Sequence, residues 1–492
     1  MSELVWQMGR RLWRRFKKRE PVYLSPVRRI SRVALPTGER LVAMTFDDGP
    51  TAAPPNPPGS ASGLTEAILA LLGKYGARGT FDVIGSTVEN YPDRAGRTGT
   101  PLWSGRRFDH YPAFGRDREA GVANQPELAR RLVQAGHELA NHGYRHLALG
   151  PSRLVYGTRA HWPDFPSALD DLKRLHELVR SATGVSMALA RPPHYVDRLP
   201  DGLTAYHLYL AMGYQYLAAS WDGGGWRPSS GDYRRDVAAM VVPLARAVEN
   251  DAGCLSGQII FHKDGYNMSE QSPVVDALER HLDLLTDHGY RVVTVSELLS
   301  ISPLADFGAG SHIGAGTGGG ADSPGGAGNP GAADSACLEG GWSLVKRLLQ
   351  EGYCLAYRDN TFRPWQPLTR GEMLVMFLPP SAWMPRACDL SAWRERVRRR
   401  GPGRFDDVPE HHPYWTWVES ACELGLLERT SGHLGVNDPV APAELERTIR
   451  RLAQTGLLPR TARARAAGPI SNLADDRSVG RLAAIVTLAT SA

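Results

Sequence analysis

The sequence predicts an α/β fold for residues 38–300, a parallel sheet or barrel, with a separate smaller unit after it. Three observations point there. Strand-like and helix-like runs alternate through 38–300, the pattern of strands joined by helical crossovers. The 492-residue length exceeds one ordinary core and asks for two to four domains at about 100–200 residues each. The 52 glycines and 36 prolines are concentrated locally, so they mark a tether and not a fibrous protein. Hydrophobic residues make up 42% and charged residues 22%, a globular balance that excludes a wholly disordered chain. A net charge of +5 over this length gives no reason to expect nucleic acid as a partner.

Residues 1–37 form a basic N-terminal segment. Leu4, Val5, Met8, Leu12, Trp13 and Phe16 fall at helical spacing among Arg10, Arg11, Arg14, Arg15, Lys17, Lys18 and Arg19. Such an amphipathic helix over 1–19 suits an anionic membrane surface, a frayed tail, or docking on its own domain. It lacks the apolar core of a secretory signal, and no window is apolar enough to span a bilayer.

Within 38–301 the expected strands are Leu41–Phe46, Thr80–Ile84, His137–Asn141, Gly213–Ala218, Gln258–His262 and Tyr290–Val295. Helices are expected between them, including Leu64–Tyr75, Pro126–Ala135, Pro166–Ala182 and Ser272–Asp287. Residues 87–123, rich in Arg, Gly, Pro and aromatics, read as a long surface insertion. Residues 302–336 (GAGSHIGAGTGGGADSPGGAGNPGAAD and its flanks) are a flexible linker that cannot bury enough side chain to order itself. Residues 337–492 are Trp-rich and weakly repetitive, reading as a small helical array. Five cysteines include no CxxC pair, which excludes a Cys-rich zinc ribbon. One or two disulfides after residue 336 or buried free thiols fit the count equally well.

Five clusters carry chemistry. Thr45-Phe46-Asp47-Asp48-Gly49-Pro50 ends an apolar strand in two carboxylates, at the strand end where α/β enzymes build their sites. Asn141-His142-Gly143-Tyr144-Arg145-His146 sets two imidazoles four residues apart, on one side of a helical turn, close enough to share one metal ion. A carboxylate such as Asp48 would complete a three-ligand set with open positions for water and substrate. Arg191-Pro192-Pro193-His194-Tyr195 holds an Arg and its following amides on a fixed backbone, where an amide could serve a developing oxyanion. Ser220-Trp221-Asp222-Gly223-Gly224-Gly225-Trp226 offers aromatics on which sugars stack, or simply buried packing. Ile259-Ile260-Phe261-His262 ends in a His that is either a general acid or a core histidine.

TFDDGP, NHGYRH, RPPHY, WDGGGW and IFH, in that order, closely resemble the motifs of the polysaccharide deacetylase family (NodB homology, carbohydrate esterase family four). Gly79-Thr80-Phe81, Ala135-Gly136-His137-Glu138 and His288 to Val295 match between and after them. The resemblance implies a distorted (β/α)7-type barrel and a divalent metal, zinc in most cases with cobalt as an alternative. On its pattern Asp48, His142 and His146 are the metal ligands, Asp47 the general base and His262 the general acid. Arg191 would orient Asp47, the His194 amide would help hold the oxyanion, and Ile260 and Trp226 would line the acetyl pocket, with Tyr195 and Asp222 beside the groove. The implied activity is removal of acetyl groups from N-acetylated glycans at the cell envelope. An O-acetyl esterase, a non-sugar amidohydrolase and a wall-binding protein of impaired activity are the alternatives.

Three departures from the family pattern matter. Gly225 stands where a second acid usually pairs with the motif Arg, leaving Asp222 or Asp264 to serve Arg191. His194 and Tyr195 replace a common aromatic and a common Gly. The insertion at 87–123 widens the gap between Asp48 and His142. In the tail, Tyr357 to Pro364 with Leu368-Thr369-Arg370-Gly371-Glu372, and a more worn copy from Phe405 through Trp415 to Gly425, resemble S-layer homology repeats. That resemblance implies binding to a secondary cell-wall polymer through 337–492 and a location outside the cell, with the cytoplasm as the alternative.

Overall fold

A computed structural model describes residues 25–301, apart from 34, 37, 57–59, 90–118, 155–156, 159, 228 and 266–270. It also describes 357, 366–378, 397, 405–427, 432–455, 474–475 and 478–479. The N-terminal helix, the linker, and most of the insertion lie outside the described residues. The chain forms two compact units, one holding residues 29–301 and one holding the described C-terminal residues from 357 on, apart from 397.

In the first unit, elements run in the order β1 (Arg29–Ile30), β2 (Leu41–Asp47), α1 (Leu64–Lys74), β3 (Thr80–Val83), α2 (Pro126–Gln134) and β4 (Glu138–Asn141). A two-strand antiparallel ribbon follows, β5 (Arg153–Leu154) and β6 (Gly157–Thr158). Then come α3 (Phe165–Thr183), β7 (Leu189–Ala190), α4 (Ala205–Met212), β8 (Gln215–Leu217), β9 (Trp221–Asp222) and α5 (Tyr233–Asn250). β10 (Ile259–Lys263), α6 (Val274–Asp287), β11 (Arg291–Val293) and α7 (Val295–Ile301) complete the unit. All six expected strands and four expected helices are present, with ends shifted by a few residues. The short β1, β7 and β9 have too few residues to leave a periodic signal.

The sheet order is β1-β8-β7-β4-β3-β2-β10-β9, with β11 joined to β2, and every pairing in it is parallel. The sheet curls on itself. Past the end of β1, the Val33 N–H donates to the Gly257 carbonyl just before β10 at 2.7 Å. Ile30, Val33, Leu41, Ala43, Ala140, Leu189, Leu217, Ile259 and Val293 meet in one buried cluster. Side chains from seven strands can share a cluster only if the strands surround it, so this is the distorted (β/α) barrel that the resemblance implies.

The period of two along a strand decides what enters the lumen. On β2 the odd positions Leu41 and Ala43 fill the cluster. Thr45 and Asp47 therefore continue the same inward row toward the carboxyl end. Phe46 takes the other face, stacked on Phe81 at 4.8 Å. On β10, Ile259 is the inward residue, which assigns Phe261 and Lys263 to the lumen and Ile260 and His262 to the outer face.

The C-terminal unit is mainly helical, with α8 (Arg370–Phe377), α9 (Trp415–Glu423) and α10 (Pro442–Thr455), and a strand pair, β12 (Ala474–Asp475) and β13 (Ser478–Val479). Thr369 and Glu372 form a capping box at the start of α8, each side chain serving the other's backbone N–H. Arg370 binds Glu444 at 2.7 Å and Asp438 at 3.2 Å, tying one repeat-like unit to the next. Asp407 accepts the N–H groups of Leu434 at 2.8 Å and Val436 at 2.7 Å, which folds the second unit back on itself. Among the described residues Cys254 is a free thiol, and no helix is long and apolar enough to cross a membrane.

Candidate metal centre

At the carboxyl end of the barrel strands, three side chains distant in the chain converge. Asp48 Oδ1 lies 3.1 Å from His142 Nε2 and 3.2 Å from His146 Nε2. All three residues are buried, and one ligand atom from each lies within 4.8 Å of the others. The His142 Nδ1–H donates to the Arg191 carbonyl at 2.8 Å, which leaves the Nε2 lone pair aimed at Asp48. Two neutral imidazole nitrogens and one carboxylate, with the imidazole tautomer fixed from behind, fit a divalent ion of the zinc type.

The two imidazoles do not sit on a helical turn. They follow β4 in a loop held by buried groups. The Asn141 side chain binds the Leu172 carbonyl at 2.9 Å and accepts the Gly143 N–H at 2.9 Å. Asp171, from α3, accepts the N–H groups of Tyr144 at 2.8 Å and Arg145 at 3.1 Å. Burial pushes the Asp171 carboxyl up to about 7, against the pull of those two N–H donors. Gly143 has φ +81°, and a Cβ there would stand 3.1 Å from Asp171 Oδ2. Only a glycine lets the chain turn this tightly between the two histidines.

Among the described residues the non-glycine residues in the left-handed region are Asp48, His146, His194 and Tyr195, with φ 78°, 51°, 58° and 56°. All four surround this site. Each costs about 1–3 kcal/mol, a strain that persists where surrounding structure fixes a functional geometry.

Asp47 stands beside the triad, its Oδ2 at 3.7 Å from His142 Nε2. Its Oδ1 accepts from Arg191 Nη1. Arg191 is fully enclosed: Nη1 and Nη2 each donate to Thr45 Oγ1 at 3.0 Å, and Nη1 reaches Asp82 Oδ2 at 2.9 Å. Its guanidinium also lies 5.8 Å from the Tyr195 ring and 5.9 Å from the Phe261 ring. Burial works against its charge, but the carboxylates of Asp47 and Asp82 outweigh that and raise its pKa above the ordinary Arg value.

The partner of Arg191 is thus neither of the two acids expected. Asp222 is exposed and accepts the Trp226 Nε1–H at 3.1 Å, with Arg227 at 3.4 Å. Trp226 is held in that same surface cluster. Asp264 faces the other way, its Oδ1 accepting from Thr65 Oγ1 at 2.7 Å. Asp82 was missed because Thr80-Phe81-Asp82-Val83 reads as an ordinary core strand. Its signal lies in register: Asp82 is the pairing partner of Asp47 on the neighbouring parallel strand, so both carboxylates face the same way.

His262 is a second correction. It does not enter the site. Its Nε2 meets His281 Nδ1 at 3.0 Å, and its ring stacks 5.4 Å from Phe46, behind the sheet against α6. His281 Nε2–H in turn donates to the Met240 carbonyl at 3.2 Å, so the Nε2–H of His262 donates to His281. Ile260, of the same parity, is also turned away from the lumen and cannot line an acetyl pocket. The residue of β10 that reaches the site is Lys263, whose Nζ donates to Asp48 Oδ2. Burial lowers its pKa to about 8, with Asp47 pulling the other way.

The buried imidazole pair makes the fold acid-sensitive. Burial lowers His281 to about 4, partly offset by the Met240 carbonyl, and lowers His262 as well. An unfolded His binds its proton near pH 6.5, so the unfolded state takes up protons first as pH falls. The stabilisation is complete above about pH 6.5 and is lost on descent toward pH 4. Between pH 7 and 5 His281 alone accounts for about 2 kcal/mol. His281→Asn should therefore show a melting temperature several degrees less sensitive to that pH step than the parent. Equal slopes in differential scanning calorimetry would contradict it.

His194 places its ring 4.9 Å from that of His146. The Tyr195 N–H and Val196 N–H close a tight turn on the carbonyls of Pro192 and Pro193 at 3.0 and 3.2 Å. Tyr195 is 39% exposed at the rim and accepts the Ala219 N–H at 3.2 Å.

Residues 34–198 match the family model for polysaccharide deacetylase, a stretch that begins ahead of β2 and holds Asp47, Asp48, His142, His146 and Arg191. The chain carries a polysaccharide deacetylase domain. Residues 342–374 match the S-layer homology domain, which covers the start of α8. The deacetylase domain is similar to the peptidoglycan-N-acetylmuramic acid deacetylase PdaC of Bacillus subtilis, 26% identical over 260 residues, which is 53% of this chain and 39% of that protein. It is similar to the peptidoglycan-N-acetylglucosamine deacetylase of Bacillus cereus, 26% identical over 54% of this chain and 91% of that one. The solved structure of the Bacillus subtilis protein is 24% identical over 54% of this chain and 93% of the solved chain, with a TM-score of 0.35.

Proposed function

We propose that this site removes acetyl groups from N-acetylated glycans, peptidoglycan or chitin-like, with a divalent metal held by Asp48, His142 and His146. The observation that carries the reading is the convergence of those three buried ligand atoms beside Asp47, a second carboxylate that Arg191 holds in place. The relatives that the domain resembles are named for deacetylation of peptidoglycan sugars, which supports the substrate class. Zinc suits two imidazoles and one carboxylate best, and cobalt fits the same set.

When bound, such an ion lowers the pKa of water and polarises the acetyl carbonyl. The chain's own residues do the rest. Asp47 has one oxygen on Arg191 and the other turned to His142. That free Oδ2 is placed to take the proton of the attacking water. The water oxygen bonds to the carbonyl carbon, the C–N bond breaks, and the nitrogen must receive a proton. His262 has no path to it, whereas the Lys263 ammonium stands on the lumen side next to Asp48. We assign that proton transfer to Lys263 Nζ. A base and an acid whose environments set them apart are what the reaction needs. The His194 amide is the assigned oxyanion donor, and Tyr195 at the rim the assigned sugar contact.

The second unit's match to the S-layer homology domain supports attachment to a wall polymer and so a place at the cell envelope. A second reading, a wall-binding protein with weak turnover, is favoured by one observation: a lysine fills the lumen position on β10 where a histidine acid was expected.

Acetate release from chitooligosaccharides, peptidoglycan and acetylated xylan, with chelator and with zinc restored, decides among these. Release from an N-acetylated glycan, lost with chelator and regained with zinc, is expected. Release from xylan alone turns the reading to an ester bond. No release from any of them, with zinc bound, leaves the wall-binding reading.

A further inference from the structure

Asp82 is a charged group, among the described residues of this lumen, that the reaction just described leaves without a task. It is fully buried on β3, and among the described residues Arg191 Nη1, at 2.9 Å, is the cation within ion-pair reach of it. Burial holds its pKa well above the usual carboxylate value, with the Arg191 charge opposing this and the neighbouring Asp47 adding to it. A buried acid costs stability unless it is paired, so its retention at this point needs a reason. Its neighbours supply one. Asp47 and Asp82 are register partners on adjacent parallel strands, as are Thr45 and Thr80 one step earlier. Arg191 enters between them from beyond β7, hydrogen-bonded to Thr45 and Asp47 and in ion-pair contact with Asp82. A guanidinium held by Asp47 alone could pivot about that single carboxylate. Held on two carboxylates and a hydroxyl, it has one orientation.

Among the described residues the other positions expected to supply an acid do not do this. Gly225 has φ +93°, and a Cβ there would meet Val274 Cγ2 at 2.5 Å, so the loop before Trp226 has no room for a side chain. Asp222 and Asp264 are committed elsewhere.

Resting on the deacetylase reading, we propose that Asp82 is a positioning residue that clamps Arg191 and, through it, orients Asp47 as the base. It touches neither substrate nor metal. Its loss should slow the step that uses Asp47 and leave substrate binding and metal binding alone.

The test uses the full zinc-loaded chain with Asp82→Asn, Arg191→Met and the pair combined. Asp82→Asn is expected to keep zinc content and to hold KM within about twofold, while kcat falls about 10- to 100-fold. In the Arg191→Met background the same change should cost nothing more, because Asp82 acts only through Arg191. Independently of turnover, 15N-arginine NMR should show hydrogen exchange of the Arg191 guanidinium at least about tenfold faster in Asp82→Asn. Undiminished kcat, or losses that multiply in the double variant, would overturn the proposal. So would unchanged guanidinium exchange, whatever the activity. Absence of acetate release from the parent chain would instead sink the deacetylase reading, and the exchange measurement would still judge Asp82.

Discussion

Asp48→Ala, His142→Ala or His146→Ala is expected to abolish stoichiometric zinc binding and turnover together. The reason is the smallness of the ligand set. Among the described residues three side chains form the proposed ligand set, and each is buried within hydrogen-bond distance of another, Asp48 Oδ1 facing both imidazoles. Removal of a supporting group behind a ligand costs about 10- to 100-fold in affinity in comparable sites, so removal of the ligand itself costs more. Stability should respond unequally. His142→Ala breaks the bond to the Arg191 carbonyl and so loosens the segment carrying Arg191, whereas His146→Ala leaves that bond in place. His142→Ala should therefore melt lower than His146→Ala although both lose the metal. Elemental analysis and calorimetry read these directly. Zinc retained at one equivalent in any of the three variants would refute the ligand assignment.

The strands that carry the site were legible in the sequence because each long one is an apolar run ending in polar residues. Leu41–Asp47 shows this best: seven buried residues, with the two aspartates at the end where parallel sheets place their chemistry. The pairing of His142 with His146 was legible as spacing, but its cause was not. The expected helical turn is a loop instead, shaped by Gly143 at φ +81° and by Asp171, whose carboxylate arrives from a helix some thirty positions later. Nothing in a local motif announces a clamp from another element. Asp82 was hidden for the same reason, since its meaning lies in which residue stands opposite it on the next strand. His262 was misread because a motif fixes composition and leaves parity open. A shift of one residue along β10 exchanges lumen for outer face.

Exchanging the roles of two adjacent residues gives the sharpest test of that parity. Lys263→Met should keep the fold, since an unbranched apolar chain fills the same volume, and should lower kcat by about 100- to 10,000-fold, the usual contribution of a proton donor. His262→Gln should do the opposite. Its side chain lies behind the sheet, so the site keeps its groups, while the bond to His281 and the stacking on Phe46 are disturbed and the melting temperature falls. A polar group left unpaired there costs about 1–3 kcal/mol, which in a domain of this size is several degrees. Lys263→His is the third member of the set. An imidazole titrates nearer neutrality than a lysine lowered to about 8, so if Lys263 donates the proton, the alkaline limb of the kcat profile should move to lower pH in that variant. The sign follows from the acid form being the active one: turnover is lost as pH rises through the donor's pKa. If instead His262→Gln abolishes turnover while Lys263→Met leaves it intact, the register of β10 is not the one that places the acid, and the assignment returns to the imidazole.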